Sequence, residues 1–522
     1  MFIMAEKSAK KQTTINLIAS LVSFGINLAI NFFLTPYLIG VLGTESYGFI
    51  GLANDFVQYA GIITSALNMM AGRFISVAYH KGDKEEASRL FSSVMVANFT
   101  LAGILLVFSV IFIAVLEYVV HIPQVLVGSV KITFAMTFLT FIVSVITAVF
   151  TTAAFVKNRV DINSVRDILA NIIKVAVLVL LFLLLPAKLY YLAVATLISG
   201  IFLLFANITV RRKILPDVTI RISDFRFPLV KIILASGVWM SLAQLSNVLI
   251  SGVDLLVCNL TLGAALMGVL SLAKTIPHCL ANLIISMAKV FTPHFTILYV
   301  KNDHQELAAE VNRSSRIMSF LLTVPIAGFI IFGIQFYTLW QPTKTAEEIR
   351  LLQTLSVLNC VMYLFTVHTQ CMTMLNSVCN KMKMPVLVSI GTGLVSTAVT
   401  VLILRFGDLG DNGIYVIAGM SSALISLKSA FFVPLYAAHI LKVKWWTFLP
   451  SIFRGWLAFG VLIGIFCLIS SFATITGWAS FLLVAGSAAV VGYGVTLPIL
   501  FNKKEICGLA SSIRAKLTRG GK

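Results

Sequence analysis

The sequence predicts an all-α polytopic membrane protein of about 14 transmembrane helices, built as two six-helix bundles related by a parallel repeat plus two C-terminal helices. Three observations predict it. The chain is 59% hydrophobic and only 11% charged over 522 residues, where a soluble domain carries about 25% charge. Apolar runs of roughly 20 residues, each long enough to cross ~30 Å of hydrocarbon, recur from end to end. The chain also repeats itself, in the same direction, 220 residues apart.

The repeat is read without a gap. With Gly263 set on Gly43, the pairs Leu42/Leu262, Gly48/Gly268, Leu52/Leu272, Ala53/Ala273, Tyr79/Tyr299, Lys81/Lys301, Asp83/Asp303 and Glu86/Glu306 follow, nine identities in 45 positions. In a membrane chain, such a duplication marks a transporter whose two halves move around a shared central site.

The predicted spans are 15–38, 46–69, 92–115, 131–154, 165–185, 189–209, 233–257, 266–288, 317–338, 351–375, 385–405, 413–437, 453–472 and 478–500. No small-residue cleavage site follows the first, so it is expected to be a retained helix. The net charge of +19 does not point to nucleic acid. With the N-terminus cytoplasmic, 31 Lys and Arg fall in cytoplasmic segments and five in the opposite loops, and Lys174, Lys274 and Lys428 lie inside spans. This positive-inside bias places both termini in the cytoplasm. The basic tail (Lys503, Lys504, Arg514, Lys516, Arg519, Lys522) reads as a topology and anionic-lipid anchor.

Six spans per half is an even number, so the second half enters the membrane in the orientation of the first. The expected organisation is an N-terminal bundle over 1–210, a cytoplasmic linker over 211–232, a C-terminal bundle over 233–438, and two added helices with a basic tail over 439–522. The segments HKGDKEEASRLF and VKNDHQELAAEVNR, after spans 2 and 8, read as short amphipathic helices on the membrane surface. Seven cysteines show no CxxC and no metal spacing, so neither a disulfide framework nor a metal site is expected.

Polar stripes distinguish the spans. Span 1 carries Asn27 and Asn31; span 2 carries Asn54, Asp55 and Gln58; span 7 carries Ser241, Gln244, Asn247, Ser251 and Asp254; span 8 carries Lys274, His278 and Asn282. In span 7, steps of three and four put all five on one helical face. A single stripe reads as hydrogen-bonding glue between helices. Stripes in both halves, absent from spans 13 and 14, favour a polar central cavity. Ionisable residues at membrane depth are costly and functional by default. Lys274, Lys174 and Lys428 are candidates for binding an anion, and Asp55 and Asp254 for ion coupling or gating. The opposing readings are lysines that snorkel, at Lys174 and Lys428, and an Asp254 near the outer end of span 7.

No GxxxxGK[ST] loop, no HExxH and no Ser/His/Asp constellation occurs. No external loop exceeds roughly 20 residues, too short for the catalytic loop of a membrane glycan enzyme. An enzyme is therefore not expected, and neither is a cofactor.

LTPYLIGVLGTESYGFIGLA at the end of span 1, its echo GVDLLVCNLTLGAALMGVLSLAK, and NKMKMPVLVSIGTGLVSTAVTVLIL followed by GDNGIYVIAGMSSAL resemble oligosaccharide flippases of the polysaccharide transporter family. That family belongs to the multidrug/oligosaccharidyl-lipid/polysaccharide exporter (MOP) superfamily. The resemblance covers essentially 13–500. It implies translocation of undecaprenyl-pyrophosphate-linked oligosaccharide across the bacterial cytoplasmic membrane for surface polysaccharide synthesis. The lipid-linked oligosaccharide and membrane lipids would be its ligands, and a polysaccharide polymerase and chain-length regulator its partners. It also implies a cavity lined by basic residues, here Lys274, Lys174 and Lys428. The chain departs from that pattern in having no mid-span arginine, and Asn27 and Asn31 stand where related flippases carry a basic residue. A multidrug exporter, a peptidoglycan-precursor flippase and a membrane enzyme of glycan assembly are the competing readings.

Overall fold

The structure, a computed structural model, describes residues 2–503, 505 and 506, with side chains from residue 12 onward except 13, 14, 17, 21 and 160. Of the basic tail, all but Lys503 lies outside the described residues. Among the described residues, fourteen helices are long and apolar enough to cross a membrane: Ile18–Leu42, Thr44–His80, Lys84–Ala114, Gln124–Val156, Asp161–Leu184, Tyr191–Ile214, Phe227–Leu262, Ala264–Val300, His304–Trp340, Ala346–Val378, Lys383–Phe406, Gly410–Leu441, Leu449–Phe472 and Trp478–Leu500. We number them spans 1 to 14.

The repeat is visible in the backbone between the spans. Gly43 (φ 82°, ψ 160°) separates spans 1 and 2, and Gly263 (φ 91°, ψ 175°) separates spans 7 and 8. Side chains other than hydrogen almost never adopt this conformation. At the other end of span 2, Gly82 has φ 86°, and Asn302 has φ 61° at the matched position after span 8. The next residue caps the following helix in both copies: Asp83 accepts from the Glu86 amide at 2.8 Å, and Asp303 from the Glu306 amide at 2.9 Å.

The segments after these caps are not separate surface helices. They run without interruption into spans 3 and 9, Lys84–Ala114 and His304–Trp340. Lying flat on the membrane would need a break before the apolar run, and neither segment holds a glycine or proline there.

By contact the chain divides into two compact units, Met1–Leu272 and Ala273–Lys522. In the first, span 2 packs on spans 3, 4 and 7. A Cβ on Gly237 of span 7 would lie 2.7 Å from Ala66 Cα, so only glycine permits this approach. One turn on, the Ser241 hydroxyl donates to Ile62 O at 2.7 Å and accepts from the Ala66 amide at 3.2 Å. It bridges the two groups that one i to i−4 bond of span 2 joins. At the other end, a Cβ on Gly48 would lie 2.7 Å from Gly268 Cα. The linker is strapped to span 3: Ser88, Ser92 and Ser93 accept from the amides of Thr219, Arg221 and Arg226 at 3.0, 3.2 and 2.9 Å. Leu215 and Val218 are fully buried beneath it.

In the second unit, spans 9, 10, 12 and 13 share a core that includes Leu322, Met372, Leu375, Leu441 and Ile452. Spans 13 and 14 are docked on span 9. Phe466 packs on Phe332, the Tyr493 hydroxyl donates to Leu321 O at 3.1 Å, and Arg316 grips the Glu505 carboxylate through two bonds of 2.7 and 2.9 Å.

Gly237→Ala is expected to lower stability by about 1–3 kcal/mol, the usual cost of overpacking. The readout is the thermal midpoint of the detergent-solubilised protein; an unchanged midpoint would mean the approach of spans 2 and 7 is not set by this glycine.

Candidate functional site

In the first unit the stripes of spans 2 and 7 converge. Span 7 is α-helical to Asn247, makes a π-turn over Val248–Gly252, and resumes as α-helix at Asp254. A π-turn takes its bonds out of i to i−4 register and often marks a functional position. The Tyr59 hydroxyl of span 2 donates to Gly252 O in this turn. The charges of Asp55 and Asp254 both act on Tyr59, and Gln58 Nε2 donates to Asp55 Oδ1 at 3.3 Å. Asp55 is buried. Asp254 lies eight residues before the end of span 7, at Leu262. The pairing of Asp55 with Asp254 is thus brought together by the fold. Tyr59 is the member that sequence reasoning missed: an isolated tyrosine carries no signal until Gly252 is seen above it.

Asn54, Gln58 and Asn247 are exposed and Gln244 is half-buried. Polar side chains exposed at membrane depth require water or a polar ligand. Asn54 also lines a cavity of about 200 Å³ with Thr137, Thr140, Ser144 and Thr196. Thr140 and Ser144 donate to their own helix, at Met136 O and Phe141 O, both 2.7 Å. Their lone pairs remain for the cavity.

On span 1, Asn31 Nδ2 donates to Asn27 Oδ1 at 2.6 Å. Lys174 is half-buried in span 5, thirteen residues from Asp161 and ten from Leu184. Arg166, counted as cytoplasmic from the sequence, lies within span 5 and is buried. Its guanidinium donates to Asn163 Oδ1 at 2.6 Å, Asn207 Oδ1 at 2.7 Å and Ile162 O at 3.0 Å. This network ties span 5 to span 6.

In the second unit span 8 is interrupted at Lys274, between helices Ala264–Ala273 and Thr275–Lys289. The cause is Pro277, which has no N–H to offer the carbonyl four residues back. That carbonyl, Ala273 O, is met at 2.9 Å by the Ser356 hydroxyl of span 10. Ser356 also faces Leu352 O at 2.8 Å and takes the Tyr337 hydroxyl of span 9 at 2.8 Å. Tyr363 donates to Pro277 O at 2.8 Å. Spans 9 and 10 therefore hold the break from which Lys274 projects, and Lys274 itself is buried. His278 and Asn282, one turn apart, are exposed on the helix that follows. Lys428 opens a second π-turn, Lys428–Phe432 in span 12, and donates to Ser389 Oγ of span 11 at 3.2 Å. Among the described residues, no group of three His, Cys, Asp or Glu is placed to hold a metal ion.

Fourteen apolar spans, a direct repeat, broken helices at membrane depth and charged groups at the breaks define a multi-pass membrane protein of the transporter type. The fold is that of MOP-superfamily transporters. An inward-facing multidrug resistance MATE family transporter aligns with a TM-score of 0.61 at 16% identity, covering 84% of this chain and 99% of that one. A MOP superfamily transporter from Pyrococcus furiosus, described as having a binding pocket of reversed polarity, aligns with a TM-score of 0.61 at 17% identity, covering 84% and 97%. The family profile "Polysaccharide biosynthesis protein" matches residues 13–299, and the chain belongs to that family. It is 29% identical over 497 residues to the uncharacterized membrane protein EpsK of Bacillus subtilis (strain 168), covering 94% of this chain and 96% of that protein. The family and the fold are those of transport proteins rather than enzymes.

Ser356→Ala removes the substitute donor from Ala273 O and is expected to cost about 1–3 kcal/mol. Adding Pro277→Ala restores a backbone N–H and is expected to recover most of that loss. A double-mutant cycle on thermal stability tests it; additive losses would show that the serine does not serve the proline.

Proposed function

We propose that this membrane transporter is a flippase that carries undecaprenyl-pyrophosphate-linked oligosaccharide across the bacterial cytoplasmic membrane by alternating access, for surface polysaccharide synthesis. The observation that carries the reading is the pair of lysines at membrane depth, Lys274 at the break of span 8 and Lys174 midway along span 5, in a chain of the polysaccharide biosynthesis family. A pyrophosphate loses much hydration on leaving water, and lysine ammonium groups offset that loss. The exposed amides of Asn31, Asn247 and Asn282 and the half-buried amide of Asn27, with His278, Gln58 and Gln244, supply hydrogen bonds for sugar hydroxyls. The sugar crosses in water while the polyprenyl tail stays in lipid. Both termini are cytoplasmic on the positive-inside bias. A polysaccharide polymerase and a chain-length regulator are the partners this reading implies.

Asp55 and Asp254, gathered around Tyr59 and Gly252 O, form the coupling site in this proposal. An ion moving inward gains about 2.3 kcal/mol per elementary charge per 100 mV. The same acidic group is the observation that favours an organic-cation exporter as the second reading.

Lys274→Ala is expected to abolish flipping of the lipid-linked oligosaccharide in proteoliposomes while the protein elutes and melts as wild type. Normal flipping by folded Lys274→Ala would remove Lys274 from the site. Transport of organic cations or of a peptidoglycan precursor, with no oligosaccharide flipping by wild type, would overturn the substrate assignment. Asp55→Asn is expected to leave flipping without dependence on an imposed ion gradient. A gradient dependence equal to wild type would sink the coupling role.

A further inference from the structure

Spans 1 and 5 of the first unit enclose an apolar groove of about 500 Å³, lined by five residues of span 1 between Ala29 and Tyr37, with Ile30, Phe33 and Leu34 among them, and five of span 5 between Val175 and Leu183. Its only polar side-chain atom is the Tyr37 hydroxyl. The two helices run side by side in register. Ser20 Oγ lies 3.3 Å from Ser164 Oγ, an offset of 144, and the Tyr37 ring meets Phe182 edge-on at 5.5 Å, an offset of 145. The same offset puts Lys174 level with Ile30, and Asn171 level with Asn27. Lys174, Leu178 and Phe182 share one face of span 5, and Asn27, Ile30, Leu34 and Tyr37 one face of span 1. The groove therefore has a polar end, with one ammonium and the amides of Asn27, Asn31 and Asn171, and an aromatic end about 12 Å away along the helices.

Resting on the flippase reading, we propose that this groove holds the polyisoprenoid tail of the cargo lipid while its diphosphate sits against Lys174. Depth selects this occupant. A bulk phospholipid keeps its phosphate at the interface, about 15 Å from the bilayer centre. With a phospholipid chain in the groove, Lys174 in mid-span would face hydrocarbon. A lipid whose head group is in transit presents its charge at mid-depth and its chain alongside. Among the described residues, no side chain hydrogen-bonds or ion-pairs with Lys174, so the anion is supplied by the ligand. Phe33 and Leu183 stand 74% and 76% exposed on the two walls, open to a chain entering from the bilayer.

The test is photocrosslinking of the full-length protein in phosphatidylethanolamine/phosphatidylglycerol liposomes doped with undecaprenyl diphosphate. Phe33→p-benzoylphenylalanine and Leu183→p-benzoylphenylalanine report on the groove. The control is the same substitution at Val110, lipid-exposed on span 3. Mass spectrometry is expected to find the isoprenoid adduct at both groove positions at least about tenfold above its mole fraction, the ratio conferred by two extra buried methylenes. Adducts at Val110 should follow lipid abundance. Lys174→Gln is expected to reduce the groove adducts several-fold without changing the control. Phospholipid adducts alone, or isoprenoid enrichment no greater than at Val110, would overturn the assignment. Flipping by wild type in the same liposomes separates the two claims. Flipping without groove adducts leaves the transport reading standing and removes the groove. Groove adducts without flipping keep a lipid-binding site and remove the transport reading.

Discussion

A carbonyl without a donor cannot be left in hydrocarbon, and this constraint organises the structure more than any single contact. It forces every span to be helical. Where a helix must break, it demands that a side chain supply what the backbone no longer does. At Ala273 O that side chain is Ser356, itself oriented by Tyr337. At Gly252 O it is Tyr59. In both places the satisfied break sits beside an ionisable residue, Lys274 in one case and Asp254 in the other. A charge at membrane depth needs room and a non-helical backbone near it, and the replacement donors make that arrangement stable.

The two units distribute charge differently. The carboxylates of Asp55 and Asp254 belong to the first, with a tyrosine hydroxyl and a carboxamide around them. The second contributes Lys274 and Lys428, one at a helix break and one at the start of a π-turn that precedes Pro434. Lys428 spends its ammonium on Ser389 in this conformation, tying span 12 to span 11. On the proposed reading, the anionic cargo meets the lysines and the coupling cation meets the two carboxylates.

The spans, their number and the direct repeat were legible from sequence because they rest on apolar length and on a constant offset, both properties of the chain alone. The capping residues Asp83 and Asp303 were legible as repeat identities. What escaped had a three-dimensional cause. The π-turn at Val248–Gly252 contains no proline and reads as ordinary apolar helix. Arg166 stands at the very start of the predicted span 5, and only its bond to Asn207, 41 residues away, shows what holds it in the interior. The supposed surface helices after spans 2 and 8 are continuous with the next spans, because amphipathicity at a helix start cannot distinguish a flat helix from the wet end of a long one. The hydroxyls of Thr133, Thr140 and Thr147 in span 4 answer first to carbonyls of their own helix.

The linker between the repeats illustrates what a fusion point must become. Its amides at Thr219, Arg221 and Arg226 are held by three serines of span 3, and two of its aliphatic side chains are sealed beneath it. Two genes joined end to end would begin with a loose seam; here the seam has been stitched into one copy. The matched turns keep the older record. Position 82 is glycine and position 302 asparagine, the two residue types that enter the left-handed region most cheaply. Identical pairs flank it in the two copies, at 79/299, 81/301, 83/303 and 86/306, while this position has moved between the two options that backbone geometry favours. The turn is therefore a fossil of the duplication written in conformation as well as in sequence.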